Sequence, residues 1–171
     1  FIFHKFLNQN DKNNLKSFFQ IIEVHKKYLD IAVKRFETSR NKLKVITDIC
    51  EVHEDKIRDD GSHKYLVSYK FNPNIIYLDG PDPADIKDSL FLSDEQRVPI
   101  SSDLLSIESW LVPGTIIIID GRIANVRYLK RNFKRNWEWD TNYENDCSIC
   151  ILNEKPLGKK NTENLIIRGL I

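Results

Sequence analysis

Residues 74–82 read Asn-Ile-Ile-Tyr-Leu-Asp-Gly-Pro-Asp, and this stretch decides the fold. It is a short apolar run, rich in β-branched and aromatic residues, that ends in acids and turn formers. Such a run predicts a strand that is buried on both faces of a parallel sheet. Ligands bind just beyond the carboxyl ends of the strands in an open parallel sheet. We therefore expect Asp79 and Asp82 to lie at the mouth of a binding site.

A second stretch repeats this pattern. The isoleucine run at residues 116–119 follows a Pro-Gly-Thr turn and ends at Asp120, and Arg122 comes two residues later. We expect a second buried strand that delivers Asp120 to the same end of the sheet as Asp79. Arg122 is then placed either to bind a phosphate or carboxylate of a substrate or to pair with a neighbouring acid.

The length and composition narrow the class of protein. A chain of 171 residues predicts a single domain, 1–171, with residues 153–171 as its tail. A net charge of +1 argues against a general polyanion binder, so nucleic acid is not the expected partner. Three cysteines without a framework spacing indicate a reducing compartment. The sequence shows no signal peptide and no apolar run of about twenty residues, so we predict a cytoplasmic protein without a membrane partner.

The beginning of the chain lies inside an apolar pattern. Residues 1–10 carry apolar side chains at helical spacing, the first residue is Phe1, and the sequence contains no methionine. We therefore expect further sequence before Phe1.

The predicted elements alternate between helices and strands. Such alternation indicates an α/β fold, a Rossmann-like three-layer sandwich with a mostly parallel sheet and an antiparallel hairpin at its C-terminal edge. Residues 51–64 are highly charged and predict a loop. The helices are expected at 1–10, 25–36, 65–69, from 82, from 101 and at 123–133, and the strands at 17–24, 43–49, 74–79, 116–119, 137–140 and 146–152.

Acidic residues end several of the predicted strands. They are Glu23, Asp48, Asp79 and Asp120. In a nucleotide-binding fold, the acid at the end of the second strand accepts hydrogen bonds from ribose hydroxyls. An acid at the end of the next strand can accept a hydrogen bond from an adenine amino group. An acid beyond the point where the strand order of the sheet reverses can hold a cationic centre, a metal or a substrate hydroxyl. The alternative is that these acids end strands only because strands end at the surface.

The order and spacing of these motifs resemble a class I S-adenosylmethionine-dependent methyltransferase of the small-molecule O-methyltransferase type. Residues 19–28 resemble its second strand with the ribose-binding acid, and residues 45–48 resemble the third strand with the adenine-contacting acid. Residues 75–81 resemble the fourth strand, where many relatives show an Asp-Gly-x-His stretch. Residues 111–120 resemble the following loop and fifth strand, and the closing hairpin resembles the reversed seventh strand. The likeness covers about Ser17 to Leu152.

This resemblance implies methyl transfer from S-adenosylmethionine to an oxygen of a small molecule, with a sugar or polysaccharide precursor favoured. Glu23, Asp48 and Asp79 are then the cofactor-binding residues, and Asp82, Asp120 and Arg122 are the catalytic ones. Asp82 or Asp120 would remove the hydroxyl proton, or both would bind a divalent metal, which the resemblance permits but does not require. Asp82 is also a good helix cap before Pro83. Assembly into a homo-oligomer is compatible with this interpretation.

The sequence also departs from the family. The first strand, with the glycine-rich turn that should cradle the methionine end of the cofactor, has no counterpart in the chain. Gly121 stands where metal-binding relatives usually have asparagine, and Asp82 replaces the histidine of the fourth-strand motif. Two alternatives stay open: a catalytically degenerate interaction domain, and an RNA-modifying methyltransferase that uses the basic flank of the helix at 123–133. That flank comprises Arg127, Lys130, Arg131, Lys134 and Arg135.

Cys147 and Cys150 have the spacing of a zinc knuckle. They fall in a predicted strand, however, where residues three apart point to opposite faces. We therefore do not predict a zinc site there.

Overall fold

The structure, a computed structural model, describes residues 18–38, 44–87 and 100–171. The predicted helix at 1–10 lies outside these residues. The chain divides into two compact units. The first unit contains the described residues up to Glu51 together with Leu66–Lys70, and the second contains Val52–Tyr65 and Phe71–Ile171.

The first unit is built on two parallel strands joined by a helix. Strand β1 (Phe18–Glu23) pairs in parallel with β2 (Lys44–Ile49), and helix α1 (Lys26–Thr38) connects them. The predictions of two strands and a helix here are confirmed. Within α1, Tyr28 is 57% exposed and Ile31 is 41% exposed, whereas Leu29 is buried. The apolar contact of α1 is therefore centred on Leu29.

The second unit contains a small mixed sheet that the sequence did not predict. Its order is β4 (His63–Tyr65), β3 (Val52–Glu54) and β6 (Ile86–Lys87), with β4 antiparallel and β6 parallel to the central β3. The prediction of a loop at 51–64 is correct for residues 55–62, which are irregular, but wrong near its two ends, where β3 with fully buried Val52 and the start of β4 lie. The prediction of a helix at 65–69 is also wrong, since β4 ends at Tyr65 and residues 66–69 are irregular.

The larger sheet of the second unit carries the acid-tipped strands. Its order is β5 (Ile75–Leu78), β7 (Ile116–Asp120), β9 (Cys147–Leu152) and β8 (Trp137–Asn142). Strands β5 and β7 are parallel, and β9 runs antiparallel to both β7 and β8. The predicted closing hairpin is confirmed.

One face of this larger sheet is buried and the other is partly open. Ile117, Ile119, Cys150 and Leu152 are almost fully buried on the first face. Their neighbours in β7 alternate with them and are only half-buried. Strand β5 lies at the edge of the sheet, and Tyr77 is 48% exposed. The prediction that both acid-tipped strands are buried on two faces is therefore wrong, because among the described residues only one face is closely covered.

Helix α2 (Asp103–Ile107) continues as a 3-10 turn at Glu108–Trp110, and helix α3 (Ile123–Asn132) follows β7. Leu104, Ile107 and Leu111 are buried, whereas Trp110 is 60% exposed. The helix predicted from residue 82 is limited to a single 3-10 turn at Pro83–Asp85. It gives way at once to β6, which the partner β3 stabilises.

The predicted tail contains a fourth helix. Helix α4 (Gly158–Ile167) packs through buried Leu165 against the turn at Gly114. Gly114 has φ +82°, and an added Cβ would collide with Leu165, so glycine is required there both for conformation and for close approach. Asn161 Nδ2 also donates to the carbonyl of Pro113 at 3.1 Å. The C-terminal helix is thus fixed to the turn that precedes β7.

The described residues therefore form a mixed α/β structure, with helices beside both parallel and antiparallel strands. None of the helices in the described ranges is long and apolar enough to cross a membrane.

Candidate functional site

The carboxyl ends of β5 and β7 bring two of the predicted acids to the same level. Leu78 pairs with Ile119 in the parallel register, so the next residues, Asp79 and Asp120, follow at adjacent positions. Tyr77 Oη donates a hydrogen bond to Oδ2 of Asp120 at 2.6 Å. We call Tyr77, Asp79, Asp120 and Arg122 the strand-end cluster. It joins three of the predicted site residues to a tyrosine that the sequence did not single out.

Tyr77 is a persistent hydrogen-bond donor in this cluster. Its partial burial, then its hydrogen bond to Asp120, then the charges of Asp120 and Asp79 raise the pKa of Tyr77 well above its ordinary value. The phenol therefore remains protonated across the physiological pH range. It donates to one oxygen of Asp120, while Oδ1 of Asp120 accepts no hydrogen bond from the described residues.

Arg122 lies at the first turn of α3, directly after β7. Its Nη2 is 4.0 Å from Oδ1 of Asp79, which is the outer limit of an ion pair. Its Nε is buried and has no hydrogen-bond partner in the described part of the chain. The pairing with a neighbouring acid that the sequence offered as one alternative is therefore present but loose. The guanidinium retains donors for a bound anion.

Asp82 has a local structural role. Its Oδ1 accepts a hydrogen bond from the backbone N–H of Ala84 at 2.9 Å, and it is the N-cap of the 3-10 turn. The predicted capping function is confirmed. The carboxylate is exposed, and within the described part of the chain it forms no hydrogen bond or ion pair with Asp120 or Arg122.

The loop after β5 is held by residues that sequence reasoning missed. Asn125 of α3 is 0% exposed. Its Nδ2 donates to the carbonyl of Gly80 at 2.8 Å, and its Oδ1 accepts from the N–H of Ser101 at 2.6 Å. Gly80 packs so closely on the hydroxyl of Tyr65 that a Cβ would collide with it. A polar residue beside the apolar stripe of α3 was the available sequence signal for Asn125.

The two acids of the first unit do not share a face of their strand pair. Ile22 is the register partner of Asp48, so Glu23 and Asp48 point to opposite sides. Oε1 of Glu23 accepts from the N–H groups of Val24 and His25 at 2.8 and 3.2 Å, at the entry to α1. Oδ2 of Asp48 accepts from Gln20 Nε2 at 2.9 Å. Each acid thus has a local partner.

No group of three or more histidine, cysteine, aspartate or glutamate side chains is placed to hold a metal ion within the ranges that the structure describes. Cys150 is buried on the closely packed face of the sheet, whereas Cys147, opposite Asp120, is only partly buried. The expected separation of these two cysteines on opposite faces is consistent with their places in β9.

The basic flank of α3 is exposed at Arg127, Lys130, Arg131 and Lys134. Lys130 Nζ lies 5.2 Å from the ring centroid of Trp139 and donates to Thr141 Oγ1 at 3.2 Å. Arg135 differs from the others, because it forms an ion pair with Glu154 and donates to the carbonyl of Glu108. The exposed part of the flank is therefore smaller than the sequence suggests.

Comparison with known proteins finds no family model, no curated protein and no solved structure that matches this chain.

Proposed function

We propose that this protein transfers a methyl group from S-adenosylmethionine to an oxygen of a small molecule. The observation that carries the proposal is the strand-end cluster, in which a parallel strand pair presents Asp79, Asp120, Tyr77 and Arg122 at its carboxyl end. This is the edge at which ligands bind in parallel sheets. A sugar-like acceptor and a cytoplasmic location belong to the same proposal.

The strand neighbours support a Rossmann-like arrangement. In that fold the second strand lies beside the third, and the fourth lies beside the fifth. Within the first unit, β1 and β2 are parallel neighbours joined by α1. Within the second unit, β5 and β7 are parallel neighbours, and the reversed strand β9 follows β7 in the sheet. These pairings are those that the resemblance implies for its second to fifth strands and its reversed strand.

The side chains that this proposal assigns to cofactor binding have groups that suit S-adenosylmethionine in part. Glu23 uses Oε1 for backbone amides and retains Oε2, which accepts no hydrogen bond from the described residues and suits a ribose hydroxyl. Asp48 would accept from the adenine amino group, and Asp79 would face the cationic centre. When bound, S-adenosylmethionine supplies an electrophilic methyl group.

Asp120 is the general base in this proposal. Its Oδ1 would take the proton of the acceptor hydroxyl while Oδ2 remains bonded to Tyr77, so the carboxylate keeps a fixed orientation. Asp82 is a weaker candidate for the base, because its capping bond engages it elsewhere. Arg122 would bind an anionic group of the acceptor through its remaining donors. Alignment of the hydroxyl with the methyl group supplies much of the rate enhancement.

A calorimetric titration of the wild-type chain with S-adenosylmethionine and with S-adenosylhomocysteine tests this proposal. We expect saturable one-to-one binding of both. Adenosine alone should bind more weakly, because it lacks the charged amino-acid portion. A chain that is folded by circular dichroism but binds neither compound at millimolar concentration would refute the proposal.

One observation favours a second candidate, a catalytically degenerate domain that serves as an interaction module. Glu23 and Asp48 each have a local structural partner and point to opposite faces of their strand pair. A domain that retained these acids only for capping and strand packing would show the same contacts. The titration separates the two candidates, since a degenerate domain would bind no cofactor.

A further inference from the structure

A cavity of about 190 Å³ lies in the second unit, apart from the residues of the strand-end cluster. It is bounded by the turn that follows β3, by strand β4 and by the start of α2. Its polar lining comprises Asp55, Arg58, Lys64, Ser102, Asp103 and Ser106. A volume of this size is well above what a single water molecule needs and is comparable with one small polar ligand.

Part of the cavity lining offers mainly hydrogen-bond acceptors. Asp55 is only 7% exposed, and its Oδ2 accepts from Ser102 Oγ at 2.7 Å. Ser106 Oγ donates to the carbonyl of Asp103 at 2.6 Å. The protons of both hydroxyls are thus already directed to protein oxygens, while the carboxylate and hydroxyl oxygens retain lone pairs. A ligand that contacts these groups must therefore bring donors of its own, such as hydroxyl groups.

The lining also contains two cations, Arg58 and Lys64. Arg58 donates from Nε to Tyr128 Oη at 3.0 Å and to Asp60 at 3.3 Å. Those contacts orient the guanidinium and leave its two Nη groups without a hydrogen bond to the described residues. Lys64, which is half-buried, forms no ion pair in the part of the chain that the structure describes. Asp55 and Asp103 balance these cations in formal charge, but both carboxylates already accept hydrogen bonds from the protein, so the remaining donors of Arg58 and Lys64 suit an anionic group on the ligand.

We propose that this cavity binds a small hydroxyl-rich anion, a sugar or polyol that carries a phosphate or a carboxylate. Its hydroxyls donate to Asp55 and to the serine oxygens, and its anion is bound by Arg58 and Lys64. The argument uses only the cavity and its lining, so it does not depend on methyl transfer.

Titration of the wild-type chain without any nucleotide tests this site. The probes are glucose 6-phosphate and gluconate, which carry both chemical features, and inorganic phosphate and glucose, which carry one each. At least one of the first two should bind about tenfold or more tightly than phosphate and glucose. Which of the two binds better identifies the anion as phosphate or carboxylate.

Matched variants locate the bound probe. Arg58→Gln and Lys64→Gln should each weaken binding about tenfold, the effect of losing one charge-assisted hydrogen bond. Lys56→Gln is the control, because Lys56 is exposed in the same turn and does not line the cavity. It should leave affinity unchanged.

Three results would overturn the proposal. The first is no binding of glucose 6-phosphate or gluconate at millimolar concentration to a folded chain. The second is binding of phosphate alone as tightly as either, which would show a simple anion site. The third is an equal loss of affinity in Lys56→Gln and Lys64→Gln, which would show a general charge effect.

Discussion

Strands β1 and β2 form a parallel pair in the first unit, and strands β5 and β7 form one in the second. Both pairs carry acids at or next to their carboxyl ends. In the first pair Glu23 lies opposite Ile49, so the two acids are offset by one residue and point to different faces. In the second pair Asp79 and Asp120 follow the aligned partners Leu78 and Ile119, so they are level.

The difference shows that register, in addition to composition, decides whether acids converge. A shift of one residue moves a side chain to the other face of a strand. Glu23 bonds to the N–H groups next to it, whereas Asp48 and Asp120 each accept a hydrogen bond from a residue of the neighbouring strand, Gln20 and Tyr77. The second pair is the stronger candidate for chemistry because its two acids are level at the carboxyl end of the strands.

The largest effect that distinguishes the two pairs is expected from Asp120→Asn. If Asp120 is the general base, turnover should fall by ~100-fold or more, because a positioned base contributes ~10²–10⁴-fold. Cofactor affinity should change little. Release of S-adenosylhomocysteine in the presence of an active acceptor measures turnover, and Asp82→Asn is the matched control. Unchanged turnover in Asp120→Asn would remove Asp120 from the mechanism.

Glu23→Ala tests whether the first pair binds the cofactor in spite of its divergent acids. We expect S-adenosylmethionine affinity to fall by ~1–3 kcal/mol, the cost of leaving ribose hydroxyls unpaired. Calorimetry provides the measurement, and Asp30→Ala, an exposed acid of α1, is the control. Equal affinity for wild type and Glu23→Ala would leave Glu23 with only its capping role.

Asn125→Leu should loosen the loop that follows β5. It removes the bonds to Gly80 and Ser101 in a fully buried site, and we expect a loss of ~1–3 kcal/mol in the free energy of unfolding. Urea unfolding followed by circular dichroism measures it. Asn132→Ala on the same helix, where the amide donates only to Tyr128, should cost less. A similar loss in both variants would argue against a special role for Asn125.

The smallest expected effect is a change in the titration of Tyr77, which is measured by absorbance. Since the pKa of Tyr77 is raised, its proton should be retained as pH rises through the ordinary tyrosine range near 10. The stability that this protonated phenol contributes is fully present below the pKa of the unfolded state near 10, decreases as pH rises above it, and is lost at the raised folded-state pKa. The difference in phenolate absorbance between wild type and Tyr77→Phe reports this titration. Asp120→Asn should lower the pKa of Tyr77, and an unchanged value would show that the carboxylate does not control it.

Sequence patterns predicted the longer strands because they have strong local signals. The runs that became β1, β2, β5 and β7 are apolar and bounded by turn formers, and their observed limits differ from the predicted ones by at most one residue at each end. The hairpin of β8 and β9 also has polar residues at its turn. Such signals depend on neighbours in the chain, so they survive without knowledge of tertiary contacts.

The missed elements depend on distant partners. Strands β3, β4 and β6 have only two or three residues each, too few to show a period of two, and they exist because they pair with one another. In α4 only Leu165 is buried, so its apolar stripe is weak.

The candidate site was predicted less completely than the strands. Asp79, Asp120 and Arg122 were identified from their places after the strands, and the structure brings them together. Tyr77 was predicted to be buried within the strand, but its hydrogen bond to Asp120 depends on the register between β5 and β7. Asn125 bonds to Gly80, 45 residues earlier in the chain, and to Ser101, 24 residues earlier. A local sequence pattern does not reveal bonds over such separations.

The contact of Leu165 with Gly114 has a practical consequence for any shortened or fused version of this protein. Removal of residues 158–171 would uncover the turn from which β7 starts, and that strand carries Asp120 at its far end. A truncation of the C-terminal segment would therefore lower the melting temperature and also disturb the alignment of a carboxylate that it never touches.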